Sequence, residues 1–219
     1  MFDWQPLWFS LRVALMASLL AGIAGIGLAQ RLRRYGRRRW LLDTLLMLPL
    51  VLPPVVTGFA LLLLIGRRGP IGRVLWHFAH TTLIFSPAAA VIAAAIVAFP
   101  LVYQSARSAL ESVDGHLEDA ARSLGAAPFR VFWTVTAPIA APGLAGGMLL
   151  AFARALGEFG ATVMVAGNIP GRTLTAPVAL YFAAEDGDWK RAATYALALA
   201  LLNAVFVALA TRSLRPVAR

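Results

Sequence analysis

The chain has 219 residues, 60% of them hydrophobic and only 14% charged, with a mean hydropathy of +0.75. Soluble globular domains run at about 45–50% apolar and 25% charged, so this composition excludes an ordinary water-soluble domain. The net charge of +10 comes mostly from arginines gathered at the ends of apolar runs, which reads as a topology signal rather than a nucleic-acid-binding face. Cysteine is absent, which excludes a disulfide framework, a zinc–thiolate site and a cysteine nucleophile.

Apolar runs over 7–29, 45–65, 84–102, 139–156 and 192–210 can each cross about 30 Å of hydrocarbon at roughly 1.5 Å per helical residue. They predict an all-α polytopic bundle of five spans within a single domain covering 1–219. The first run follows Asp3 and precedes the basic stretch 31–39, the reverse of a cleaved signal peptide. A retained span with its N-terminus outside is therefore expected. The second run carries Pro53 and Pro54, which break a helical ladder as either a packing kink or a lining of a polar pathway. The third is dense in alanine, and the fourth carries Gly143 and Gly147 at the spacing of close helix–helix approach. With the C-terminus inside, the inner loops (31–39, 104–137 and the tail after Thr211) hold twelve arginines against six basic residues in the outer loops. That bias supports the orientation. His77 and His80 have no third ligand nearby and read as interfacial residues, so no metal site is expected.

Between the third and fourth runs lies a polar elbow, 111–138. Asp114 can cap a short helix over 116–124, with Glu118 and Asp119 near its positive end and Gly125 as a stop. Pro128 can open a second helix. Val113, Leu117, Ala120, Ala121 and Leu124 fall on one apolar stripe, and the paired alanines leave a shallow notch.

The elbow resembles the EAA loop of ABC-importer permeases. Asp119-Ala120-Ala121, three residues, Gly125, nine residues, then Val135-Thr136-Ala137-Pro138 matches Glu-Ala-Ala, three residues, Gly, nine residues, Ile-x-Leu-Pro. Asp replaces Glu, Val replaces Ile and Ala replaces Leu. The resemblance implies a coupling helix seated in a cleft of an ATPase subunit, with Glu118, Asp119, Ala120, Ala121, Gly125 and Pro138 as its coupling residues. Residues 48–72 and 155–181 are similar to the molybdate permease subgroup, whose near relatives carry sulfate and tungstate. Five spans make a thin wall, so two copies of the chain are expected to enclose the route, served by two ATPase subunits that bind ATP and Mg and by a periplasmic or extracellular oxyanion-binding protein. The chain itself would carry no cofactor and no catalytic residue.

Pathway or gate candidates are Pro53, Pro54, Arg154, Gly157, Glu158, Gly160, Gly167, Asn168 and Pro170. Arg154 and Glu158 are four apart in an apolar run and should pair, as a structural ion pair or beside a gate. The small residues over 157–170 would let two copies approach at their common axis. No P-loop occurs in the sequence. An intramembrane lipid-modifying enzyme would need more polar groups at one depth than Arg154 and Glu158 supply. A secondary transporter would show inverted repeats or a carboxylate relay, and the sequence shows neither.

Overall fold

The computed structural model describes residues 3–33 and 40–213. Arg34, Arg37, Arg38, Arg39, Arg215 and Arg219, which contribute to the expected orientation, lie outside them. The described residues form α1 (Gln5–Leu32), α2 (Trp40–Val51), α3 (Pro54–Ile65), α4 (Pro70–Ala79), α5 (Pro87–Glu111), α6 (Gly115–Ser123) and α7 (Pro128–Val131). A π-helical turn (Phe132–Thr136) leads into α8 (Ala137–Leu156), followed by α9 (Gly160–Ala166), α10 (Ala176–Glu185) and α11 (Trp189–Ser213). Among the described residues four helices are long and apolar enough to cross a membrane, or five if α2 and α3 count as one broken span.

The core is rich in alanine, with Tyr103, Tyr195, Leu110 and Leu156 as its largest fully buried side chains. On α1, Ser10, Ala14, Ala17, Ala21 and Gly25 are buried, whereas Leu15, Met16, Leu19, Leu20 and Ile23 face outward. On α5, Ala89, Ala90, Ala93, Ala94 and Ala98 are buried. Lipid solvates large apolar side chains as well as protein does, so helices associate through small residues that let backbones approach. The 143/147 glycine pair works this way. A Cβ on Gly143 would sit 2.6 Å from the Ala109 Cβ, and one on Gly147 would sit 2.5 Å from the Ser105 Cβ.

Contacts fix the helix directions. Gly25 lies against Val102 and Tyr103, and Arg33 reaches the Val113 carbonyl, so α1 and α5 run parallel. The segment between them must return along the bundle. α8 is antiparallel to α5, and α11 in turn is antiparallel to α8, with Phe152 against Phe206 and Gly157 beside Asn203. Asp3 and Ser213 therefore lie at opposite ends of the bundle.

The structure redraws several expected elements. The second apolar run is no single rod: α2 and α3 meet at 110°, because Pro53 and Pro54 remove consecutive backbone donors and force residue 52 out of the helical region. The third helix continues past Val102 to Glu111, carrying the polar residues that ended the hydropathy signal. The second half of the elbow is not separate from the fourth run, since Pro128–Leu156 forms one continuous helix. Pro138 cannot donate to the Thr134 carbonyl, and its ring crowds that group. The preceding turn widens, with the Ala137 N–H reaching back to the Phe132 carbonyl. Residues 157–191, between the fourth and fifth apolar runs, contain α9 and α10, whose buried faces are mostly alanine and valine.

Candidate functional site: a clamped elbow and two facing helix breaks

The elbow starts from local chemistry. The Asp114 carboxylate accepts from the His116 N–H at 2.9 Å and caps α6. Gly125 ends the turn at φ +84°. A Cβ at Gly125 would meet nothing within 4 Å, so the backbone angle alone demands glycine. Pro128 opens α7 at its first turn.

Glu118 faces inward, away from the elbow's exposed surface. Arg33 at the end of α1 donates Nη1 to Glu118 Oε1 at 2.6 Å, and the Thr136 hydroxyl donates to the same oxygen at 2.7 Å. Arg122 holds Oε2 at 3.2 Å. Burial alone would raise the Glu118 carboxyl, but the Thr136 hydroxyl and the guanidinium groups of Arg33 and Arg122 outweigh it and hold the group below its ordinary range. Glu118 thus ties α6 to α1 and to the π turn at the root of α8. A second clamp lies alongside, where Asp43 of α2 accepts from the Tyr103 hydroxyl and pairs with Arg107 at 2.8 Å.

The opposite face of the elbow is left uncovered by the described residues. Leu117 is 48% exposed, Leu124 89%, Phe129 76% and Trp133 58%. Asp119 is exposed and pairs with Arg122 of its own helix at 2.7 Å, Ala120 is exposed and Ala121 half-buried. Of the expected stripe, Leu117, Ala120 and Leu124 are exposed, whereas Val113, 3% exposed, packs into the core, and Phe129 and Trp133 add to the exposed apolar residues of the elbow. Sequence periodicity missed both because they belong to the next helix. Pro138 is exposed and follows the widened turn at the root of α8.

Of the pathway candidates, Pro54, Glu158 and Gly160 come together where two helix breaks meet, with Arg154 paired to Glu158. A Cβ on Gly160 would lie 3.0 Å from the Pro54 Cβ and 3.1 Å from the Val55 nitrogen, and one on Gly58 would lie 2.7 Å from the Ala161 Cα. The discontinuity at Pro53–Pro54 is therefore pressed against the start of α9. Gly160 spends its small size on this contact within the chain. Glu158, 2% exposed, pairs with Arg154 at 2.8 Å through one oxygen and accepts from the Ala161 N–H at 2.8 Å through the other. It both neutralises Arg154 and caps the first turn of α9. Around this point the side-chain oxygens of Thr57 and Asn203 are buried with no hydrogen-bond partner among the described residues. Gly157 is exposed beside Asn203. Gly167, at φ +70°, lies 3.1 Å by its virtual Cβ from the Phe85 ring. Asn168 and Pro170 are exposed in the loop that follows. Non-helical backbone inside a membrane bundle is tolerated where it is buried in protein or lines a polar cavity, and Glu158 and Gly160 at this meeting are buried.

The chain is similar to known proteins in sequence and in fold. Residues 21–218 match the model for the binding-protein-dependent transport system inner membrane component. The chain is 50% identical over 180 residues to the molybdenum transport system permease protein ModB of Escherichia coli K12, covering 82% of this chain and 79% of that one. It is 42% identical over 222 residues to ModB of Mycobacterium tuberculosis H37Rv, covering 94% and 81%. A probable sulfate transport system permease protein, cysT of Chlorokybus atmophyticus, is 38% identical over 183 residues, covering 82% and 63%. In fold, the chain is similar to an inward-facing form of the MetNI methionine ABC transporter, with a TM-score of 0.71, 18% identity and coverage of 98% and 95%. The chain belongs to the family of inner membrane components of binding-protein-dependent transport systems.

Proposed function

We propose that this chain is the membrane-spanning permease subunit of an ABC importer that carries molybdate across the cytoplasmic membrane, using ATP hydrolysed on a partner subunit. The observation that carries the reading is the elbow: a short helix clamped to α1 and α8 through Glu118, whose outer face of Leu117, Leu124, Phe129 and Trp133 is left uncovered by the described residues. The names of the molybdenum permease relatives support the substrate.

Moving a dianion inward against an inside-negative potential of about 100 mV costs roughly 4.6 kcal/mol, at about 2.3 per charge. The sequence has no P-loop, so the work comes through the elbow. In this reading two copies enclose the route, two ATPases each receive one elbow, and a substrate-binding protein delivers the oxyanion to the opposite end. Closure of the ATPases displaces α6. Because Glu118 holds α6 to Arg33 and Thr136, α1 and α8 move with it. The two facing breaks then give way, at Pro53–Pro54 and at 157–160. The carboxylate of Glu158 keeps Arg154 from trapping the passing dianion, which must bind weakly enough to leave.

Uptake of labelled molybdate in cells lacking their own molybdate permease, with unlabelled molybdate, tungstate and sulfate as competitors, tests the substrate. Molybdate competing at least as strongly as tungstate, and far more strongly than sulfate, is expected. A sulfate or tungstate importer is the second reading, and the sulfate permease likeness gives its sulfate form weak support. Preferential competition by either ion would establish it.

A further inference from the structure

We propose that α4 is an interfacial helix whose arginine cluster holds the phosphate of an anionic phospholipid, at the end of the bundle opposite the elbow. Arg67, Arg68, Arg73, Trp76 and His77 line an open hollow of about 670 Å³. The Arg67 guanidinium stacks over the Trp76 ring at 4.0 Å, which presents its donors at a fixed position. No Asp or Glu occurs between Asp43 and Glu111 in the sequence. Among the described residues none of the three arginines pairs with a carboxylate. Three exposed cations converge here with no counter-charge from the described residues.

Arg73 lies on α4 and Arg67 and Arg68 in the turn that leads into it, and the character of that helix selects among possible anions. Ile71, Val74, Leu75 and Phe78 fall at i, i+3, i+4 and i+7 on one face of α4, with Arg73, His77 and His80 on the other. Gly72 is the only buried residue of α4, while Ile71, Val74 and Phe78 are 46%, 56% and 80% exposed. α4 follows α3 of the broken span and precedes the start of α5, where the Phe85 N–H bonds the Val165 carbonyl at 2.8 Å. A short amphipathic helix at the end of a span, basic on one face and uncovered on its apolar face, lies in the headgroup boundary with that face among acyl chains. A free oxyanion needs only the arginines. A ligand with an anionic phosphate joined to an apolar tail meets both faces at once, as an anionic phospholipid does. Trp76 and its stacked Arg67 sit between the two, where interfacial aromatics gather.

The test is native mass spectrometry of the purified full chain in neutral detergent. Phosphatidylglycerol or phosphatidylcholine of identical acyl chains is titrated in, with inorganic phosphate and molybdate as competitors. Phosphatidylglycerol should be retained at roughly tenfold lower concentration than phosphatidylcholine. Arg67→Gln with Arg68→Gln, or Arg73→Gln alone, should bring the two lipids within about twofold of each other. These arginines are exposed, so circular dichroism should report unchanged helix content. Arg191→Gln, on α11 away from this hollow, should leave the preference intact. Equal retention of both lipids, or a preference that survives the arginine substitutions, overturns the proposal. Displacement of phosphatidylglycerol by millimolar phosphate or molybdate assigns the cluster to a free oxyanion and also overturns it. Substitutions that abolish uptake while lipid retention stays at the wild-type level assign the cluster to a protein contact, and this too overturns it.

Discussion

Glu118 is the side chain on which the elbow's rigidity depends. Glu118→Gln keeps an acceptor for Thr136 but leaves Arg33 without its charge partner, at a cost of about 1.5–3 kcal/mol, read as a lower melting temperature in detergent. The pH dependence has a definite sign. The folded carboxyl lies below its ordinary value of 4.5, so its contribution is complete above that value and disappears as pH falls through the folded one. The melting temperatures of wild type and Glu118→Gln should converge in acid and stay apart at neutral pH. Gly125→Val should destabilise the elbow by about 1–2 kcal/mol, because a β-branched residue at φ +84° is strained. Gly115→Ala, with open space and an ordinary φ, should be neutral or better in the same thermal assay. The cap at Asp114 and the stop at Gly125 were legible in the sequence because both are local backbone chemistry. The partners of Glu118 were not, since Arg33 and Thr136 lie 85 and 18 residues away in the chain.

Among elements, the pairing of α3 with α9 decides how the two breaks behave. Gly58→Val would drive a Cβ into the Ala161 backbone at 2.7 Å and the Met164 Cβ at 2.9 Å. Overpacking of that kind costs about 1–3 kcal/mol, measured as earlier thermal loss of the monodisperse peak in size-exclusion chromatography. Gly27→Val on α1 has nothing within 4 Å and serves as the matched control, with no loss expected. Hydropathy located the long helices, and the two prolines located the break. The 110° bend and the meeting with Gly160 were invisible, because no local pattern encodes which element fills a gap. α4, α9 and α10 were hidden for a different reason. Each is seven to ten residues long, too short for a span, and the glycines and prolines around them read as turns. Pro138 concealed the continuity of α7 with α8, since a proline there normally argues for a boundary.

Across the whole molecule, the parallel course of α1 and α5 and the antiparallel course of α8 and α11 put the elbow at one end and 168–191 at the other. With the elbow facing the cytoplasm, a cysteine at Ser123 should resist membrane-impermeant thiol reagents in intact cells, and one at Asp186 should react. The chain contains no native cysteine, so the background is clean. Reaction at position 123 alone would reverse the orientation. Everything proposed for transport turns on the uncovered face of the elbow receiving the driving force. ATP-driven molybdate uptake into proteoliposomes containing the chain, its ATPase and its binding protein reads that role without intermediaries. Leu124 and Phe129 are 89% and 76% exposed, so Leu124→Gln with Phe129→Gln should leave melting temperature unchanged. The same variant should lose at least about nine-tenths of ATP-driven uptake, a tenfold effect corresponding to roughly 1.4 kcal/mol of docking energy. Undiminished ATP-driven uptake by this variant would contradict a driving role for the elbow.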